Sequence, residues 1–149
     1  MKRNLNIFDR IGTLIPGYKG YQERDSRREC DRQLREQIAD KLTFTEKFIN
    51  SIITVTAFEN LSEIEIIRKK INNLNALIKY SPYGESAFFS DSVIKETELE
   101  HIYQFDLNIL DATNDLLVSA DSNDLNAIKS NILLLEKSII ERNNYIKDK

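Results

Sequence analysis

Glu98-Leu99-Glu100-His101 sets a carboxylate and an imidazole one helical turn apart, the Glu-x-x-His spacing that di-iron carboxylate bundles use. Such a site needs two of these motifs and a carboxylate from each remaining helix. His101 is the only histidine, so a full site is excluded and a single mononuclear metal at Glu98 and His101 is the most the pair could hold. A solvated acidic face accounts for the same residues. Cys30, the only cysteine, precedes Leu34 by one turn on an apolar line and reads as a small core residue. It would be reactive only if Arg27 or the start of a helix lowered its pKa. No nucleophile motif surrounds it or any serine. The sequence therefore assigns no catalytic residue, no metal and no cofactor.

The most distinctive string is Ile15-Pro16-Gly17-Tyr18-Lys19-Gly20-Tyr21, followed by Arg24, Arg27, Arg28, Asp31, Arg32 and Arg35. Glycine permits tight turns, and tyrosines beside it present flat surfaces that end in a hydrogen-bonding hydroxyl. That is the composition of a docking loop, and equally of a turn reversing the N-terminal segment onto the helix that follows. Gly17-Tyr18-Lys19-Gly20 fits the glycine signature of one RNA-binding loop, but that module needs a sheet and no strand is expected here. A phosphate loop would want more glycines after a strand. No specific nucleic acid and no small-molecule substrate is inferred. The arginines recur every three or four positions with Glu23, Asp25, Glu29, Asp31 and Glu36 interleaved, so intrahelical ion pairs explain most of the pattern. The residues offered to a protein partner are Pro16, Gly17, Tyr18, Gly20, Tyr21, Arg24, Arg27, Arg28 and Arg35.

This run, together with Tyr83-Gly84, Phe88-Phe89, Leu99, Ile102-Tyr103 and Asp106, resembles a group of uncharacterised bacterial small helical proteins. They share a Pro-Gly-Tyr-x-Gly-Tyr run leading into a helix rich in arginine and aspartate. The resemblance implies a bacterial helical family and carries no activity with it.

The elements that must position these residues are helices. Glycine and proline cluster at Gly12–Gly20 and at Pro82 and Gly84, and elsewhere apolar residues follow the helical period. A first long helix is expected from residues 23–26 to about 60, along Cys30, Leu34, Ile38, Leu42, Phe48 or Ile49, Ile52, Val55 and Phe58. Thr43-Phe44-Thr45 is its weakest point. A second begins with the capping box Ser62-Glu63-Ile64-Glu65 and carries Ile64, Ile67, Ile71, Leu74 and Ile78 on a heptad seam that Pro82 ends. After a long connection over 81–94, a third runs over 95–119 through Leu99, Ile102, Tyr103, Ile109, Leu110, Leu116 and Leu117. Asp121-Ser122-Asn123 make a turn into a fourth, which bears Leu125, Ile128, Ile132, Leu135, Ile139 and Ile146.

The expected fold is all-α, an antiparallel four-helix bundle with a long first helix and a short N-terminal segment packed on it. It is read as one domain over 1–149, with 1–22 as segment and loop and 23–149 as bundle. A first helix of about 36 residues would outrun partners of about 18 to 25. Leu5, Phe8, Ile11 and Ile15 of the N-terminal segment, or a second chain, would cover the excess.

The 149 residues are 41% hydrophobic and 30% charged, which excludes a chain disordered throughout. The apolar runs at 52–58 and 132–135 fall far short of the roughly 20 residues a spanning helix needs. Residues 1–35 hold nine basic and five acidic side chains and the remainder twelve and nineteen, so +4 and −7 make up the net −3. Lys2 and Arg3 suggest a leader, but Asp9 and Arg10 interrupt its apolar stretch and no cleavage site follows, so a cytoplasmic location is expected. The leading reading is a noncatalytic protein-interaction or assembly module, including self-association. The alternative is weak peripheral attachment to an anionic membrane surface through residues 2–15, where Lys2, Arg3 and Arg10 accompany Leu5, Phe8, Ile11 and Leu14. A metal-binding enzyme ranks last.

Overall fold

The computed structural model describes residues 6–55, 61–80 and 93–147. Every regular element among them is helical: α1 (Ile7–Leu14), a 3-10 turn (Arg24–Ser26), α2 (Arg27–Val55), α3 (Leu61–Tyr80), α4 (Glu96–Asp121) and α5 (Leu125–Lys147). Residues 1–5, 56–60, 81–92 and 148–149, with the expected contributions from Leu5, Phe58, Tyr83, Phe88 and Phe89, lie outside the described residues.

Local chemistry sets most of the boundaries. The Asn6 side chain caps α1 by accepting the Asp9 N–H at 2.8 Å. α2 runs unbroken through Thr43 and Thr45, whose hydroxyls donate to the carbonyls of Ala39 and Lys41, one turn back. α3 starts at Leu61, two residues before Glu63, where a Ser62 cap would start it. Between α4 and α5, Asn123 adopts φ 58°, the Asp124 N–H bonds the Ser119 carbonyl and the Asn123 N–H bonds that of Ala120. This is a Schellman closure with asparagine at the left-handed position. Asp124 then caps α5 by accepting the Ala127 N–H at 3.1 Å.

Around the core the order is α2, α3, α5, α4. The consecutive helices α3 and α4 are therefore not principal neighbours, and helices so placed need a longer connection than a tight turn. Arg35 near the start of α2 reaches the Ile78 carbonyl near the end of α3. Asn131 early in α5 bonds the Asp115 carbonyl late in α4, while Arg142 late in α5 meets Asp106 in the first half of α4. Lys129 and Glu63 pair where α5 and α3 begin.

One expectation changes. The N-terminal segment packs chiefly on α4, not on the first long helix: Ile11 and Ile15 are buried, and Phe8 touches the Tyr103 ring. A short apolar stripe fits any groove of the right width, and here the loop after α1 delivers it to α4. The first long helix is described from Arg27 to Val55, 29 residues that span about 44 Å against about 39 Å for the 26 of α4 and about 30 Å for the 20 of α3.

The core is mainly isoleucine and leucine, with Ile38, Leu42, Ile64, Ile71, Leu116, Ile128 and Leu135 essentially inaccessible. Where α4 ends and α5 begins, the buried hydroxyls of Thr113 and Ser119 donate to carbonyls of their own helix. The opposite end of the core is built differently, around buried charge.

Candidate functional site

Asp106 lies on the inward seam of α4, between Ile102 and Ile109, and is fully buried. Arg142 lies on the inward seam of α5, between Ile139 and Ile146, and is 2% exposed. Arg142 Nε donates to Asp106 Oδ1 at 2.5 Å. The other carboxylate oxygen, Oδ2, accepts the hydroxyls of Tyr18 at 2.9 Å and Tyr21 at 2.5 Å. Arg142 Nη2 donates to the Tyr21 hydroxyl oxygen at 2.9 Å and to Asp31 Oδ1 at 2.8 Å. Asp31 Oδ2 accepts from Arg35 Nε at 2.8 Å, and Arg35 Nη1 donates to the Ile78 carbonyl. Two carboxylates and two guanidinium groups thus balance in charge while joining α2, α3, α4, α5 and the loop after α1. Buried charge is tolerated only when paired and hydrogen-bonded in this way.

The Gly/Tyr loop delivers its tyrosines through backbone bonds and two left-handed glycines. Gly17 and Gly20 have φ of 83° and 82°. The Tyr21 N–H donates to the Tyr103 hydroxyl at 3.1 Å, the Tyr21 carbonyl accepts from Arg27 Nε at 2.9 Å, and the Gly20 carbonyl accepts the Ser26 hydroxyl at 3.1 Å. Gln33 Nε2 reaches the Gly17 carbonyl. The rings of Phe8, Tyr18, Tyr21 and Tyr103 meet at centroid distances of 5.3 to 6.3 Å, with Tyr21 stacked on Tyr103.

Burial dominates the electrostatics. It pushes the Tyr18 and Tyr21 hydroxyls far above the ordinary phenol value, and the Asp106 carboxylate adds to the shift. Tyr103 is raised for the same first reason. Burial also raises the Asp106 carboxyl, against the opposing pull of Arg142 and the two tyrosine hydroxyls. The Cys30 thiol is pushed up to about 12 by burial and then by Asp106. Phenols and a thiol held protonated are poor nucleophiles and poor bases. The arrangement is suited to holding elements together.

The residues offered to a partner divide in two. Tyr18, Gly20, Tyr21 and Arg27 are buried and Arg35 is largely so, because their polar atoms close the network and the loop. Pro16, Gly17, Arg24 and Arg28 are exposed. Farther along α2, Arg32 pairs with Glu29 and Glu36, as the interleaved charges suggest. Glu98 accepts the Lys95 N–H at the start of α4, and the exposed His101 ring stacks on Tyr145. Among the described residues no group of three metal-ligating side chains comes together, and no helix is long and apolar enough to cross a membrane.

Sequence reasoning attached no role to Arg142 or to Asp106. Their signal is positional: each is a charge on an otherwise apolar heptad seam, and the two are opposite in sign. Beside the loop, a cleft of about 850 Å³ opens between α1 and the start of α4. Phe8, Ile94, Leu99 and Tyr103 line it, with Lys19 and Glu100 among its polar residues. No family model matches the chain, and no curated protein or solved structure matches it at a significant level.

Proposed function

We propose that this chain is a noncatalytic, cytoplasmic protein-interaction module, and that it contacts its partner through the exposed rim of the Gly/Tyr loop and the first turn of α2. The observation that carries this reading is the division within the loop. Buried tyrosines fix its backbone, while Pro16, Gly17, Lys19, Arg24 and Arg28 are exposed, with Lys19 on the lining of a partly apolar cleft. A rigid backbone lowers the ordering cost of binding, and an apolar floor with a charged rim has the makeup of a protein contact. The four long helices are read as an antiparallel bundle that serves as the scaffold, and the chain as one of the bacterial group sharing the Pro-Gly-Tyr-x-Gly-Tyr run.

The test is crosslinking in native cells followed by a charge-reversing variant. A partner, or a second copy of the chain, should crosslink within residues 16–28 and be lost in Arg24→Glu/Arg28→Glu with helical circular dichroism unchanged. Retention of every partner by that variant would remove the reading. Attachment to an anionic membrane through residues 2–15 is the lesser reading. It would require Ile11, now fully buried on α4, to leave its place, and absence of flotation with anionic liposomes would retire it.

A further inference from the structure

At eight residues, α1 is shorter than the roughly 12 to 15 at which an isolated helix becomes even marginal in water. It is helical because Ile11 and Ile15 are buried, with Ile7, Phe8 and Leu14 packed against the same core. Its principal neighbour among the helices is α4. The loop after it is fastened at three depths. Tyr18 and Tyr21 reach Asp106, the Tyr21 backbone bonds Tyr103 and Arg27, and Ser26 and Gln33 hold the carbonyls of Gly20 and Gly17. Gly20 brings backbone against the Tyr103 hydroxyl and the Phe8 ring so closely that no side chain would fit between them.

The energetics of this cover differ from those of the helices beneath it. Separating α2, α3, α4 and α5 also frees the Asp106–Arg142 and Arg142–Asp31 pairs, but most of what it exposes is aliphatic side chains along their whole length. Lifting α1 and the loop also exposes apolar groups, but it returns Asp106 to water, and the hydration recovered by a carboxylate offsets part of the lost burial. The two tyrosine hydroxyls that leave with the loop find water in place of Asp106. Arg142 keeps Asp31, which belongs to α2.

We infer that residues 7–26 form a strap that undocks from α4 as one cooperative unit, below the free energy of global unfolding, with the Asp106–Arg142 pair and the two tyrosine hydroxyls as its catch. The strap covers Asp106 and the flank of Tyr103, so undocking converts a sealed face of α4 into an amphipathic groove, and redocking of the same residues closes it. This device is independent of whether the outer rim of the loop meets a partner.

Hydrogen exchange on the intact chain, followed by mass spectrometry across a series of low urea concentrations, tests the inference. Amides of residues 7–26 should exchange at least ~10-fold faster than the slowest amides of α4 and α5 while sharing one common rate among themselves. Tyr18→Phe/Tyr21→Phe keeps both rings and removes both hydroxyls. It should raise exchange over 7–26 by a further ~10-fold or more and leave residues 125–140 unchanged. Equal protection of the strap and the helices, unrelated rates within the strap, or a uniform rise over the chain in the variant would each overturn the inference. Should the double variant not fold, the wild-type urea series decides by itself, since a sub-global unit converges on the global isotherm only at higher denaturant.

Discussion

Arg142 Nε lies 2.5 Å from Asp106 Oδ1, 36 positions away in the chain, with one side chain 3% and the other 0% exposed. Isolation of this kind makes the pair a fastening between α4 and α5 that is hard to break by halves. Arg142→Leu leaves a buried carboxylate without its counterion and should cost about 3–5 kcal/mol in urea-induced unfolding. Adding Asp106→Leu should recover part of that loss, giving a coupling of about 2–3 kcal/mol in the double-mutant cycle. Costs that simply add would show that the two charges act separately.

The glycines offer a contrast within one segment. A Cβ at Gly20 would come within 2.5 Å of the Tyr103 hydroxyl oxygen and 2.6 Å of the Phe8 ring, on a backbone at φ 82°. Gly20→Ala should therefore destabilise by about 2 kcal/mol or more. Gly12 lies within α1 with nothing near its Cβ position, and Gly12→Ala should stabilise by up to ~1 kcal/mol. Thermal melts of the two variants should move in opposite directions.

Cys30 is 1% exposed and its thiol is held up at about 12. At about pH 8 the native protein should react with a thiol-specific disulfide reagent far more slowly than the urea-unfolded chain, since only the thiolate attacks. A native rate matching that of the unfolded chain would contradict the burial.

Alkali should act through the tyrosines. Tyr18 and Tyr21 have folded-state values above the ordinary 10.0, so above that pH the folded chain binds more protons than the unfolded one. Their contribution to stability is complete below pH 10 and declines as pH rises beyond it. Urea midpoints should therefore fall more steeply with pH above 10 in the wild type than in Tyr18→Phe/Tyr21→Phe. A native ultraviolet titration should fall short of six phenolates at a pH where the unfolded chain shows all six.

Much of the helical framework was legible in the residues. Ile64, Ile67, Ile71, Leu74 and Ile78 are the buried residues of α3, as their heptad spacing requires, and the turn after α4 falls where Asp121-Ser122-Asn123 put it. The placement of α1 was not legible. Phe8, Ile11 and Ile15 define an apolar face without naming the groove that receives it, and the choice depends on contacts such as Phe8 with Tyr103 that only the folded chain brings together. The network was half legible. Asp106 and Arg142 interrupt apolar seams, but their meeting depends on the register of α4 against α5, and Tyr18 reaches Asp106 across 88 positions. Tyr18 and Tyr21 have the same composition whether they dock a partner or fill an interior, and burial alone separates the two uses.

The hydrogen bond from Arg142 to the Tyr21 hydroxyl spans 121 positions. At about 5–20 residues per second, translation leaves Tyr21 waiting on the order of 6 to 24 s for its partner. Throughout that interval a newly made N-terminal stretch carries two uncovered phenols and an aliphatic stripe, while the short-range hairpin of α4 and α5 has yet to emerge. Closing so long a loop comes at the end of assembly, and the nascent chain is most open to chaperone capture at the very residues that finish it.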